Sequence, residues 1–290
     1  MKPKQDPNNC DVSQDERRMI EAAMPSEAPA PPRRARKLLV VSLNVRDGEV
    51  RRGHPSISHG NLALKLMGQR TGTYEAVFSN ETSMFRPSNL EQFDAAFFNN
   101  TAGVLFEDEV LRQSMLDFVA DGNGFVGIHA AAATFVQYPR YDQFPEFGEM
   151  LGAYENGGHP WRADETIVLK VEDPDHPVNA AFNGQSFEIQ DEVFQFQDPY
   201  SRDKLHVLLS IDTEKTDMSP SRGFLPERLA DRDFAMSWVR RYGEGRVFYS
   251  SLGHNPALFW DPAILQHFLA GVQFALGDLE ADSTPSSQVG

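Results

Sequence analysis

The stretch Gly122 to Phe135 reads Gly-Asn-Gly-Phe-Val-Gly-Ile-His-Ala-Ala-Ala-Ala-Thr-Phe and constrains the fold more than any other part of the chain. The apolar run Phe125 to Ile128, with glycines before it and alanines after it, reads as a buried strand that feeds directly into a helix. His129 falls at the junction. In open α/β sheets, ligands gather where strands end at their carboxyl edge and helices begin, so a side chain at this junction is placed for chemistry. The small residues Ala130 to Ala133 let the helix start close to the sheet. A nucleophile elbow is built in this manner with Ser or Cys at its tip. A histidine there points to proton transfer or metal binding instead of covalent catalysis. The plain alternative is an imidazole that only satisfies a buried hydrogen bond.

The surrounding sequence alternates strand and helix patterns. Lys37 to Leu43 reads as the first strand, followed by a loop from Asn44 to His59 that carries Arg46, His54 and His59. Gly60 to Gln69 has helical spacing. Tyr74 to Phe78 and Phe93 to Phe98 read as strands, the second followed by Asn99 and Asn100 at the carboxyl edge. Glu107 to Ala120 is an amphipathic helix with Gly122 near its C-cap. This order predicts an α/β fold with a doubly wound, mainly parallel sheet. Beyond Phe135, Tyr138 to Gly158 mixes aromatics with Pro and Gly and reads as an inserted aromatic lid, or equally as an interface. Tyr138 and Trp161 are the aromatic candidates for a sugar face. Extra strands follow at Thr166 to Val171, Phe187 to Phe196 and His206 to Ser210. Phe234 to Arg241 and Gly245 to Ser251 form a hairpin, and Pro262 to Leu276 a closing helix. Residues 1–36 have the composition of a mobile tail, with a helical turn around Asp15 to Met24, and residues 278–290 of a polar tail. A single domain is expected over 37–277, without internal repeats.

The balance of charge excludes several partners. A net charge of −15 repels nucleic-acid backbone and anionic membrane surfaces, whereas a neutral, sugar-like small molecule meets no such barrier. The one cysteine, Cys10, lies in the N-terminal segment, so no disulfide framework and no thiolate site is expected in the folded part. No stretch approaches the roughly 20 apolar residues that span a bilayer, and a cytoplasmic location is the expectation. Nothing calls for a nucleotide cofactor. A homo-oligomer is left open.

Five histidines, His54, His59, His129, His159 and His254, fall at strand ends or in loops that a sheet of this kind brings to one edge. Asp191 and Glu192 are adjacent in strand-like surroundings, so only one of the two carboxylates enters a given site. Imidazole and carboxylate donors suit a divalent ion such as Zn, Mn, Fe or Ni. The candidate metal ligands are His129, His254, Glu192, His54 and His159. Arg46, Asn99, Asn100, Tyr138 and Trp161 are the candidates for substrate binding.

The chain resembles the ThuA-like, or trehalose utilisation, family, whose fold is similar to that of class I glutamine amidotransferases. The likeness is carried by Gly124-Phe-Val-Gly-Ile-His129-Ala-Ala, Leu151-Gly-Ala with Gly158-His-Pro160, and Asp175-His-Pro-Val178. It continues through Asp191-Glu-Val-Phe194, Val207-Leu-Leu-Ser210 and Gly243-x-Gly245-Arg-Val-Phe-Tyr-Ser-Ser-Leu-Gly-His254. It runs from about Lys37 to Gly277. In the amidotransferases the elbow carries Cys and a late strand supplies a His with Glu two residues on. Here His129 occupies the elbow and His254 is followed by Asn255-Pro256, so glutaminase chemistry is excluded on residue identity. The resemblance implies carbohydrate metabolism, with disaccharides of the trehalose type or their 3-keto forms as substrates. The expected reaction is metal-assisted cleavage of a 3-keto-glycoside by elimination and hydration. His129, His254 and Glu192 are expected at the centre, with His159 or His54 as a further ligand or acid. A sugar isomerase sharing the same enediolate, or a non-catalytic sugar-binding or partner-docking module, stands as the alternative.

Overall fold

Leu38 and Val40 pack into one hydrophobic cluster, while Leu39 and Val41 pack into another on the opposite side. That alternation is what a strand buried on both faces produces. Ala95/Phe97 against Ala96/Phe98, and Phe248 against Val247/Tyr249, repeat it. The computed structural model describes residues 11–137 and 144–289. In chain order these form α1 (Gln14–Ala23), β1 (Lys37–Val41), a short ribbon of β2 (Val45–Arg46) and β3 (Glu49–Val50), α2 (Ile57–Thr71), β4 (Glu75–Phe78), α3 (Pro87–Leu90) and β5 (Ala95–Asn99). There follow α4 (Glu109–Ala120), β6 (Gly124–Ile128), α5 (Pro145–Leu151), β7 (Thr166–Val171), β8 (Phe187–Gln190), β9 (His206–Ile211), α6 (Pro226–Asp231), β10 (Ala235–Tyr242), β11 (Gly245–Ser250) and α7 (Pro262–Ala275).

One nine-stranded sheet has the order β4-β1-β5-β6-β11-β10-β9-β7-β8. The first five strands are parallel neighbours, and the last four join by antiparallel pairing. The parallel half therefore has the doubly wound order 2-1-3-4-5, which leaves a crevice where the connections from β1 and β5 diverge. Helices α2 and α7 cover one face with Leu62, Met67, Leu265 and Phe268; α4 covers the other with Leu111, Met115 and Phe118. The expected α/β architecture is what forms, with antiparallel strands added at one edge.

Three expectations give way. Residues 11–36 do not form a mobile tail: α1 opens with a reciprocal capping box between Ser13 and Glu16 and buries Ile20, Ala23 and Met24 against α2 and the turn Pro256–Trp260. Burying Ile20 alone contributes about 2 kcal/mol, which offsets ordering cost that composition made look prohibitive. The segment after Gly277 is also tied down. Arg36 pairs with Asp278, Ser286 accepts from the Val207 amide through Oγ, and Thr284 offers its carbonyl to His206. Finally, the second part of the supposed lid is α5, whose Phe147, Met150 and Leu151 are fully buried, with Phe147 among Phe98, Phe125 and Phe135. Tyr138, a candidate sugar-stacking residue, lies outside the described residues.

Candidate active site

The strand β6 ends at Ile128 and passes into a 3-10 turn, His129–Ala133, rather than the α-helix expected there. His129 itself has φ +43°, a left-handed conformation that a non-glycine residue adopts at a cost. The structure over-determines it. Tyr249 donates to the His129 carbonyl at 2.8 Å, the imidazole stacks on Phe194 with ring centres 4.8 Å apart, and Nδ1–H donates to the Ser251 carbonyl at 3.0 Å. With Nδ1 committed as the donor, the lone pair is on Nε2. That nitrogen faces His254 Nδ1 at 3.2 Å.

His254 comes from the loop after β11, and a buried carboxylate holds that loop. Asp191 accepts from the amides of Gly253 (2.7 Å), His254 (3.2 Å) and Asn255 (2.7 Å). Burial pushes the Asp191 pKa up to about 7, against the three amides, which pull it down. Gly253 lies at φ +129°, where other residues rarely fit. Glu192, the next residue, turns to the opposite side, as alternation requires. Its Oε1 is 3.4 Å from His254 Nδ1, 3.6 Å from His159 Nε2 and 4.0 Å from His129 Nε2, so one carboxylate oxygen meets three imidazoles.

His54 completes the group from the connection after β3, with its ring edge-on to both His129 (4.9 Å) and His254 (5.0 Å). Its Nδ1 is buried without a hydrogen-bond partner. His54, His129, Glu192 and His254 each offer a donor atom, and all four atoms lie within 4.8 Å of one another. Burial takes the His54 pKa down to about 4, with His254 adding to it. Burial likewise holds His129 well below the ordinary imidazole range, and lowers His159 against the pull of Glu192. His254 runs the other way: burial would lower it, but its hydrogen bond and attraction to Glu192 prevail and raise it. The hydrogen bond from His254 in turn lowers Glu192. Imidazoles around a carboxylate are the donor set that a borderline divalent ion takes, and the set fits one.

His54 and Glu192 of this cluster line a cleft of about 870 Å³. Its lining includes Asn44 to Gly48 with Arg51 and Arg52, and Phe194, Glu155 and His159. His159 lies outside the four-donor group but faces the cleft, its ring 4.6 Å from that of Phe194 and its Nε2 3.8 Å from Glu155.

Four of the five predicted histidines thus meet, with Glu192, and Arg46 lines the cleft. The others go elsewhere. His59 is buried between Pro55, whose carbonyl is 3.3 Å from Nδ1, and Glu16 of α1. Trp161, expected at a sugar face, is fully buried, packs on Phe224 and Phe234, and donates to the Asp217 carbonyl; it belongs to the core. Asn99, also fully buried, donates to the Ile57 carbonyl and to Asn61, and fixes the start of α2 instead of touching substrate. Asn100 donates to Asn99 and to the Gly253 carbonyl, so it supports the His254 loop from beneath. Sequence reasoning missed the roles of Asp191 as the clamp and Phe194 as the platform. The same alternation that brings Glu192 inward also brings Phe194 inward two residues later.

The sequence model of the ThuA family, described as trehalose utilisation, matches residues 42–275. Among curated proteins none matches the chain. Solved structures do. A ThuA-like protein from Bacteroides uniformis is similar with a TM-score of 0.64 at 19% identity, over 84% of this chain and 91% of that one. A ThuA-like protein from Parabacteroides merdae gives 0.60 at 17% identity, over 86% and 93%. A cytoplasmic protein from Salmonella typhimurium gives 0.53 at 14%, over 83% and 98%. At such identities the likeness establishes the fold. Among the described residues no helix is long and apolar enough to cross a membrane.

Proposed function

Because the chain belongs to the ThuA, or trehalose utilisation, family, and its role therefore lies in carbohydrate utilisation, we propose that it is a metal-assisted enzyme that cleaves glycosides oxidised at C3. The observation that carries this reading is the convergence of His54, His129, Glu192 and His254, of which His54 and Glu192 line the cleft. A divalent ion bound there supplies Lewis-acid polarisation of the C3 ketone.

The ketone makes the proton on C2 acidic. His159, which faces the cleft with a lowered pKa, is a neutral base near pH 7 and takes that proton. As the C2–H bond breaks, its electron pair forms the C1–C2 double bond and the C1–O bond to the leaving group breaks. The imidazolium of His159 gives its proton to the departing oxygen. Water then adds to C1, a proton returns to C2, and the product is the free 3-keto sugar with no net oxidation. Tyr249 and Ser251 hold His129 in one orientation, and Asp191 does the same for His254, so the donors need no rearrangement to receive the ion. As a ligand His254 would act in its neutral form, with Glu192 3.4 Å from its Nδ1.

The experiment is elemental analysis of protein purified without a histidine tag, for the wild type, His129→Ala and His254→Ala, combined with a turnover assay on 3-keto-disaccharides. Roughly one equivalent of a divalent metal in the wild type, lost in both variants together with turnover, is the expected result. A wild type that binds no metal after dialysis against Zn, Mn, Fe or Ni salts sinks the reading. A cytoplasmic setting and a small carbohydrate as the sole partner are part of the same proposal.

A further inference from the structure

Part of the cleft lining is built from a two-residue hairpin. Asp47 (φ +53°) and Gly48 (φ +75°) occupy the two turn positions between Arg46 and Glu49, the Asp-Gly pair that a type I′ turn demands. The ribbon is fixed to the sheet edge. Val45 donates to the Ala102 carbonyl at 2.9 Å and Arg51 to the Asn44 carbonyl at 2.9 Å. Gly103 passes so close that a Cβ there would come within 1.7 Å of the Val45 carbonyl oxygen. A rigid mount therefore presents Arg46, Arg51 and Arg52 at the cleft.

Three arginines within seven residues stand out in a chain of net charge −15. Arg46 has no ion-pair partner among the described residues. Arg51 pairs with Glu49 and Arg52 with Asp11, but these pairs are about half exposed or more, and exposed pairs of this sort contribute about 0–1 kcal/mol and exchange readily for a better acceptor. Of the carboxylates that share the cleft, Glu192 lies among the imidazoles and Glu155 beside His159, while Asp47 sits in the turn next to Arg46. Among the described residues the one phenyl ring on the cleft surface, Phe194, is covered by His129 and His159. Stacking on a bare sugar has little to work with here, whereas guanidinium forks match phosphate and carboxylate oxygens.

We infer that the sugar bound in this cleft carries an oxyanion, a phosphate or a carboxylate, away from its reacting carbons, and that Arg46, Arg51 and Arg52 receive it. The inference rests on the cleft being a carbohydrate site, as proposed above, but not on the metal. An acidic chain repels anions at a distance, so a local basic rim is what admits them, and it sorts charged sugars from the neutral pool.

The test is calorimetric titration of the protein as purified with glucose, glucose 6-phosphate, glucuronate and inorganic phosphate, at low and at near-physiological salt. At least one charged sugar is expected to bind about tenfold or more tighter than glucose, with a preference that shrinks as salt rises. The double variant Arg46→Gln/Arg51→Gln should lose that preference while keeping its thermal midpoint and the wild-type affinity for glucose. Whether glucose 6-phosphate or glucuronate binds tighter assigns the oxyanion. Equal affinity for all sugars, no binding by any, a preference that survives in the double variant, or inorganic phosphate binding as tightly as the sugar phosphate each overturns the inference. The same titration on His254→Ala separates the two proposals: the rim keeps its preference whether or not the metal reading stands.

Discussion

The chain holds two groups of histidines that differ in where their second nitrogen points. In one group both nitrogens are committed to fixed partners. His206 lies between the Thr284 carbonyl, 2.7 Å from Nδ1, and Asp173, 3.0 Å from Nε2; His176 accepts from the Val178 amide and donates to the Asp282 carbonyl; His267 donates to the Val178 carbonyl and meets the Ser237 hydroxyl. In the other group His54, His129 and His254 turn nitrogens toward one another and toward Glu192. Residue type is shared, but of the second group only His129 is fully buried, while His54 and His254 are half-buried. The first group fastens segments of chain together, and the second leaves lone pairs converging on a point. Capacity to hold an ion is thus a property of incomplete local satisfaction, and a count of histidines does not measure it.

The sharpest way to break this contrast is to remove one member of each group. Structural zinc sites are worth about 10–16 kcal/mol in all, so a quarter share puts the loss in His129→Ala at about a hundredfold or more in metal affinity, read by competition with a chelator. His267→Ala should destabilise the fold and leave metal affinity unchanged. Equal losses in both variants would erase the distinction between the groups.

Acid should separate them next. Burial lowers the His267 pKa from 6.5 to about 4, so between those values the unfolded chain binds a proton that the folded chain does not. The corresponding stability is complete above pH 6.5 and falls away as the pH drops toward 4, by about 3 kcal/mol across the window. Urea midpoints of wild type and His267→Gln measured from pH 7 to pH 4 check this, because the variant lacks that part of the slope. Identical slopes would mean that the acid sensitivity belongs to the cluster.

A smaller effect should follow from Asp191→Asn. The three loop amides lose a charged acceptor, His254 loosens, and metal affinity falls by about 10- to 100-fold with the ligands themselves untouched. The least effect belongs to Trp161→Phe, which gives up one hydrogen bond to the Asp217 carbonyl: about 1 kcal/mol in the urea midpoint, and no change in sugar affinity. A drop in sugar affinity there would return Trp161 to the binding surface.

Much of this arrangement is legible in the residues, and the rest fails for identifiable reasons. The parallel strands are continuous apolar runs because both faces are covered, and His129 stands where such a run stops. The pairing of Asp191 with Glu192 already implies that only one of them faces the cleft, but not that the other clamps Gly253 to Asn255, some sixty residues away in sequence. Residues 14–23 carry a mean composition suited to a tail, yet a few apolar positions on one side suffice once α2 and the Pro256–Trp260 turn offer a surface. Trp161 shows the converse. An aromatic beside Gly and Pro reads as a binding face until Phe224 and Phe234 close over it. The Asp47-Gly48 hairpin is a different case, since that dipeptide between extended segments is a turn signal in its own right.

Glu192 follows β8, the outermost strand of the antiparallel edge, yet its carboxylate sits among side chains from the end of β6 and from the loop after β11, in the middle of the sheet. The segment from Asp191 to Phe194 must therefore cross back over the strand ends, and it can do so only when every intervening strand is in place. His54 and His254 are separated by two hundred residues. During synthesis the donors are incomplete until His254 itself has left the ribosome. No fragment ending before His254 assembles the four, so the cluster works as a completion mark: it exists in the finished molecule and in none of its partial forms.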